Sequence, residues 1–128
     1  MSTNTVHKID THRRLCILKD LRELELWLQS LEGFSEDLNH FKIIDNQIVK
    51  NDLVSKKIKA LQRKTVLMIA SLCKYEQELK TEYEYGKVEY NTLRLKIHVQ
   101  RQQNYLLLLK EQQEFKVLIF TQLRRFKR

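Results

Sequence analysis

The fold class of this chain is decided by residues 54–79, VSKKIKALQRKTVLMIASLCKYEQEL. Apolar side chains, with one threonine among them, recur there at alternating steps of four and three residues. That spacing is typical of a helix that packs one face against another helix. We call these positions the 54–79 seam, and they are Val54, Ile58, Leu61, Thr65, Met68, Leu72, Tyr75 and Leu79.

The composition of the rest of the chain agrees with a helical fold. The 128 residues include two glycines and no proline, where average usage would supply about nine and about six. Sandwiches, barrels and α/β folds need tight turns that are built largely from these two residue types. The sequence therefore predicts an all-α protein of the size of one ordinary domain.

Three segments are expected along the chain. Residues 1–10 are polar and predict a flexible N-terminus, followed by a helix that begins near His12. Residues 11–50 predict two shorter helices joined near Gly33, where glycine can end one helix and Ser35 can cap the next. A boundary near Asn51 and Asp52 separates them from residues 51–128, a long heptad-patterned coiled-coil segment with a basic C-terminal end.

Gly86 decides between two architectures. The apolar phase runs on through Gly86 to Tyr90, Leu93 and Ile97, which favours one long coiled-coil helix after a helical hairpin. The alternative is a compact antiparallel helical bundle that reverses direction at Gly86, with the glycine as a helix C-cap.

A single continuous helix over residues 53–126 cannot bury its own seam. Partner helices must therefore come from residues 12–50, from a second copy or from another protein. A second apolar face, near the C-terminus, predicts a further docking patch. The predicted interface residues on both are Val54, Ile58, Leu61, Met68, Leu72, Tyr75, Leu79, Phe115, Ile119 and Phe126.

The charge of the chain favours an anionic partner as an alternative. The formal net charge is +8, and residues 86–128 carry ten basic and three acidic side chains. Such asymmetry suits nucleic acid or an acidic protein surface. The candidate anion-binding residues form two clusters, Lys56, Lys57, Lys59, Arg63 and Lys64 in the first and Arg124, Arg125, Lys127 and Arg128 in the second.

The sequence contains no pattern typical of a catalytic, metal or cofactor site. His12 and Cys16 share a helical face, but two ligands alone are a weak metal signal, and no glycine-rich phosphate loop is present. We expect no enzyme activity, no cofactor and no metal, and two buried, reduced thiols at Cys16 and Cys73. No secretory or transmembrane segment is predicted, which favours an intracellular location, cytoplasmic, cytoskeletal or nuclear.

Residues 53–126 resemble the small basic coiled-coil subunits of centrosomal, ciliary and kinetochore assemblies. The resemblance lies in heptads and composition and assigns no residue a role. It implies a non-enzymatic scaffold or assembly subunit that binds partner helices in a homo- or hetero-oligomeric coiled coil.

Overall fold

A computed structural model describes residues 3–86 and 88–125, which form three α-helices and no strand. The helices are α1 (Thr3–Ile44), α2 (Asp52–Tyr85) and α3 (Thr92–Arg124). The prediction of an all-α fold is confirmed. Helix α2 runs antiparallel to both neighbours, whereas α1 and α3 are parallel, since Trp27 stacks near Tyr105 and Phe41 packs against Phe115.

The core lies between the three helices and is built around the 54–79 seam. Every position of the seam is buried except Met68, which is half-buried. Helix α1 contributes an apolar face to the same core, and α3 covers the remaining side. Of the possible partners for the seam, this chain's own residues 12–50 therefore provide one, and α3 provides another.

Helix α1 corrects two of the predicted boundaries. It begins at Thr3 rather than near His12, and it continues through Gly33 without a break. The reason is tertiary packing: Leu31 and Phe34, on either side of Gly33, are both buried in the core. This burial outweighs the cost of about 1 kcal/mol for glycine inside a helix.

The connection between α1 and α2 is a tight turn. Residues Asp45–Val49 form one π-helical turn, and Lys50 adopts a left-handed conformation with φ 47°. The Asn51 side chain then accepts hydrogen bonds from the amides of Leu53 and Val54, at 2.9 and 3.3 Å. The predicted boundary near Asn51 and Asp52 is confirmed, with asparagine as the N-cap of α2.

The prediction of a continuous helix through Gly86 is wrong, and the alternative of a reversal there is what the structure shows. Helix α2 ends at Tyr85, and Gly86 is extended, with φ −70° and ψ 147°, instead of left-handed. A Cβ at this position would lie 2.5 Å from the Glu82 carbonyl oxygen. Glycine is therefore required for space and not for a positive φ. The apolar pattern beyond Gly86 predicted that the seam continues, but Leu93 and Ile97 are exposed.

Two smaller expectations concern the thiols and the membrane. Both cysteines are free, with Cys16 half-buried and Cys73 exposed, so the predicted burial is wrong for Cys73. Among the helices of the described ranges, none is long and apolar enough to cross a membrane.

Candidate functional site

Helix α3 carries a second apolar face outside the core, and we call it the outer face of α3. Its positions are 95, 99, 102, 106, 109, 113, 117 and 120, at steps of four and three with two successive fours between 109 and 117. Positions 102 and 113 are glutamines, and Leu109 is half-buried against the core. The other five positions expose large apolar side chains by between 39% and 67% of their surface. They are Leu95, Val99, Leu106, Val117 and Phe120, of which Phe120 also packs edge-on against Phe41 of α1, with 6.2 Å between ring centroids.

Cations border this face. Lys96, Lys110 and Arg124 lie three or four residues from Val99, Leu106 and Phe120 respectively, which places them on the same side of the helix or its edge. In the part of the chain that the structure describes, these three cations form no ion pair. One carboxylate, Glu114, shares the flank, so the face is apolar with a basic border.

The first basic cluster is divided between two sides of α2. Lys56, Lys59 and Arg63 follow steps of three and four along an exposed side. Lys57 and Lys64 lie on the side toward α3, where Lys64 pairs with Glu111 at 2.8 Å. The end of α3 lies at the same end of the bundle, with Arg124 and Arg125 exposed. Lys127 and Arg128 lie outside the described residues.

At the other end of the bundle, near Gly86, a polar layer interrupts the core. We call it the His98 layer, and it joins Asp20 and Glu23 of α1, Tyr75 of α2, and His98 of α3 with Tyr90 just before that helix. His98 Nε2 lies 3.2 Å from Glu23 Oε2 and 3.4 Å from Asp20 Oδ1. Its other ring nitrogen, Nδ1, is hydrogen-bonded to the Tyr75 hydroxyl at 2.7 Å.

Burial changes the acidity of this layer. Asp20 is 4% exposed and His98 3%. Burial raises the pKa of the Asp20 carboxyl, although the hydrogen bond from the Tyr90 hydroxyl and the nearby His98 oppose the shift. Burial also raises the pKa of the Tyr75 and Tyr90 hydroxyls, so both stay protonated and act as hydrogen-bond partners.

Aromatic and basic side chains hold the layer in place. Trp27 stacks on the His98 ring with 5.1 Å between ring centroids, which fixes the plane of the imidazole. A cavity of about 380 Å³ adjoins Asp20, Tyr75 and Tyr90 between the helices. Arg13, 2% exposed, closes the same end by donating to the Glu82 carbonyl oxygen in the last turn of α2, where a cation complements the helix dipole.

Most interface residues predicted from the sequence are buried in the core and are not accessible to a partner. Phe115 and Ile119 are buried in the core together with the 54–79 seam, and Phe126 lies outside the described residues. Sequence reasoning missed the outer face of α3 because α3 is apolar nearly all round, and periodicity alone does not say which stripe faces inward. It missed the His98 layer because Asp20 and His98 are far apart in the chain.

Comparisons with known proteins add no relative. The chain has no match among protein-family models, curated proteins or solved structures. Function is therefore inferred from the geometry of these surfaces.

Proposed function

We propose that this protein is a non-enzymatic assembly subunit that binds a partner helix through the outer face of α3. The observation that carries the proposal is the exposed apolar stripe of Leu95, Val99, Leu106, Val117 and Phe120 on one side of α3. The resemblance of residues 53–126 to centrosomal, ciliary and kinetochore subunits suggests an intracellular, cytoskeletal complex as its setting.

The stripe suits a helix as its partner. From Leu95 to Phe120 it extends for about 38 Å at about 1.5 Å per residue. Steps of four and three, with one stutter between 109 and 117, keep one side of a helix facing a partner over such a length. The seam predicted for docking, 54–79, is already covered by α1 and α3, so the proposal moves the docking surface to the outer face of α3.

The basic residues beside the stripe indicate which kind of partner helix is favoured. Helix α3 contains six basic and two acidic residues, and the cations beside the stripe lack partners in the described ranges. Flanking charges in coiled coils set partner choice, because opposite charges attract and like charges repel across the interface. The favoured partner is an amphipathic helix with acidic flanks, and a second copy of this basic helix is disfavoured.

A synthetic peptide tests this pairing. The probe is an amphipathic helix with leucine at heptad positions a and d and glutamate at e and g, and the comparison peptide has lysine in place of glutamate. We expect the full chain to bind the acidic peptide at least about tenfold more tightly, equal to about 1.4 kcal/mol. Fluorescence anisotropy of labelled peptide measures both affinities.

Two variants place the binding on α3. Leu106→Glu should weaken binding of the acidic peptide at least about tenfold, since it puts a carboxylate into the interface. Leu67→Glu makes the same change at an exposed position of α2 and should leave binding unaltered. Equal effects of both variants, no preference for the acidic peptide, or a dimer that Leu106→Glu dissociates would each contradict the proposal.

A second candidate function is binding to an anionic surface such as nucleic acid. It is favoured by the placement of the first basic cluster and of Arg124 and Arg125 at one end of the bundle, with Lys56, Lys59 and Arg63 on one exposed side. Affinity for duplex DNA should then fall steeply with salt, because phosphate contacts release counterions. Reversing these three charges should abolish binding, whereas Lys74→Glu on the same helix should change it little.

A further inference from the structure

The geometry points to a Zn²⁺ site in the His98 layer, with Asp20 Oδ1, Glu23 Oε2 and His98 Nε2 as ligands. These three ligand atoms lie within 4.8 Å of one another, although they come from two helices that are far apart in sequence. The inference is independent of helix binding by the outer face of α3, and it departs from the expectation of no metal drawn from the sequence.

The separations of His98 from the two carboxylates match those around a zinc ion, and the two carboxylate oxygens lie within 4.8 Å of each other. Zn²⁺ takes nitrogen and oxygen ligands at about 2.0–2.1 Å, and a tetrahedral arrangement then sets ligand atoms about 3.3 Å apart. The separations of His98 Nε2 from the two carboxylates are 3.2 and 3.4 Å. One imidazole and two carboxylates leave a fourth position for a water molecule, and a cavity lined by Asp20, Tyr75 and Tyr90 lies beside the site.

Neutral hydrogen bonds reach the carboxylates of this layer without cancelling their charge. The Tyr90 hydroxyl donates to Asp20, one imidazole N–H of His98 can serve one carboxylate, and Glu23 is 31% exposed. The nearest lysine, Lys19, is 3.8 Å from the far oxygen of Glu23, and its side chain is 76% exposed. A divalent cation between the three ligands compensates both carboxylates.

The surrounding groups orient the ligands as metal sites require. With Nε2 on the metal, His98 Nδ1–H donates to the Tyr75 hydroxyl, and such a partner fixes the ring and its tautomer. The Tyr90 hydroxyl donates to Asp20 Oδ2, which leaves Oδ1 free to face the metal. Trp27 holds the plane of the imidazole by stacking.

The test is zinc titration by calorimetry on the full chain carrying His12→Gln and Cys16→Ser. These two changes are needed because His12 Nε2 and Cys16 Sγ lie 3.6 Å apart near the surface and form a competing zinc-binding pair. We expect one equivalent of Zn²⁺ to bind, and Zn²⁺ to raise the temperature of unfolding, because a ligand that binds the native state stabilises it.

Single changes then identify the ligands. Glu23→Gln should weaken zinc binding at least about tenfold and remove the thermal shift, whereas Glu25→Gln, at an exposed position of the same helix, should do neither. Asp20→Asn gives a second ligand variant, and circular dichroism checks that each variant is folded. Absence of saturable binding, or equal affinity in the Glu23 and Glu25 variants, would overturn the site without affecting peptide binding by the outer face of α3.

Discussion

The two halves of the bundle are held together differently. The half beside the α1–α2 turn is packed mainly by apolar and aromatic side chains, with Phe41 edge-on to Phe115 at 5.7 Å between ring centroids, and its buried polar residues Asp45, Thr65 and Gln112 form no connected layer. The half beside Gly86 contains the His98 layer and the buried guanidinium of Arg13. We call them the apolar half and the polar half.

The difference teaches where stability and specificity reside. Apolar packing is non-directional and its contribution to stability grows with buried area. A buried polar layer contributes less net stability, but each of its groups is costly to leave unpaired, so it admits few alternative arrangements. We therefore expect the polar half to restrict how the three helices align, and the apolar half to contribute more stability for the same buried area.

The largest effect should come from the apolar half. Phe115→Ala removes a ring that is 3% exposed, and we expect a loss of about 3–5 kcal/mol in the free energy of unfolding. Urea denaturation followed by circular dichroism measures it. Val117→Ala, at an exposed position two residues away, should cost less than about 0.5 kcal/mol. Similar losses in both variants would show that this half is not a packed core.

The next effect tests the polar half. Tyr75→Phe keeps the ring but leaves His98 Nδ1 without its hydroxyl partner, and we expect a loss of about 1–3 kcal/mol. Denaturation in the presence of a chelator keeps bound metal out of the comparison. Tyr85→Phe, where the side chain is 80% exposed, is the matched control and should be silent. If Tyr75→Phe also leaves the free energy of unfolding unchanged, the hydrogen bond between Tyr75 and His98 does not stabilise the polar half.

Gly86 lies at the end of the polar half, where the chain turns. Gly86→Ala brings a methyl group against both the side chain and the carbonyl of Glu82, and we expect a loss of more than about 1 kcal/mol. The Glu82 side chain can rotate away, but the carbonyl belongs to the last turn of α2. A gain in stability would mean that α2 continues through this position in solution.

Gly33 should respond in the opposite direction, with the smallest effect of the four. It is helical and exposed, and a Cβ built on it meets no atom within 4 Å. Gly33→Ala should therefore raise the free energy of unfolding by about 0.5–1 kcal/mol, because alanine has the higher helix propensity. A thermal melt of each glycine variant against the unaltered chain checks both signs, and destabilisation by Gly33→Ala would indicate a break in α1.

The apolar half could largely be predicted from the sequence. Val54, Ile58 and Leu61 follow a helical period that allows one buried face, and Asn51 carries a recognisable capping signal. Gly33 and Gly86 could not be assigned locally, because glycine is tolerated both within and after a helix. Only the tertiary structure distinguishes them. Buried residues on either side of Gly33 keep it inside a helix, whereas Gly86 follows the end of a helix and lies close to Glu82.

The candidate sites depended still more on the tertiary fold. The exposed stripe on α3 shares its period with the buried one, so only the positions of α1 and α2 show which is covered. The sequence by itself determined a helical, basic chain with a buried seam, because periodicity and composition act locally. The tertiary structure alone brought Asp20 and Glu23 to His98, because contacts between residues so distant in the chain arise only when the helices pack.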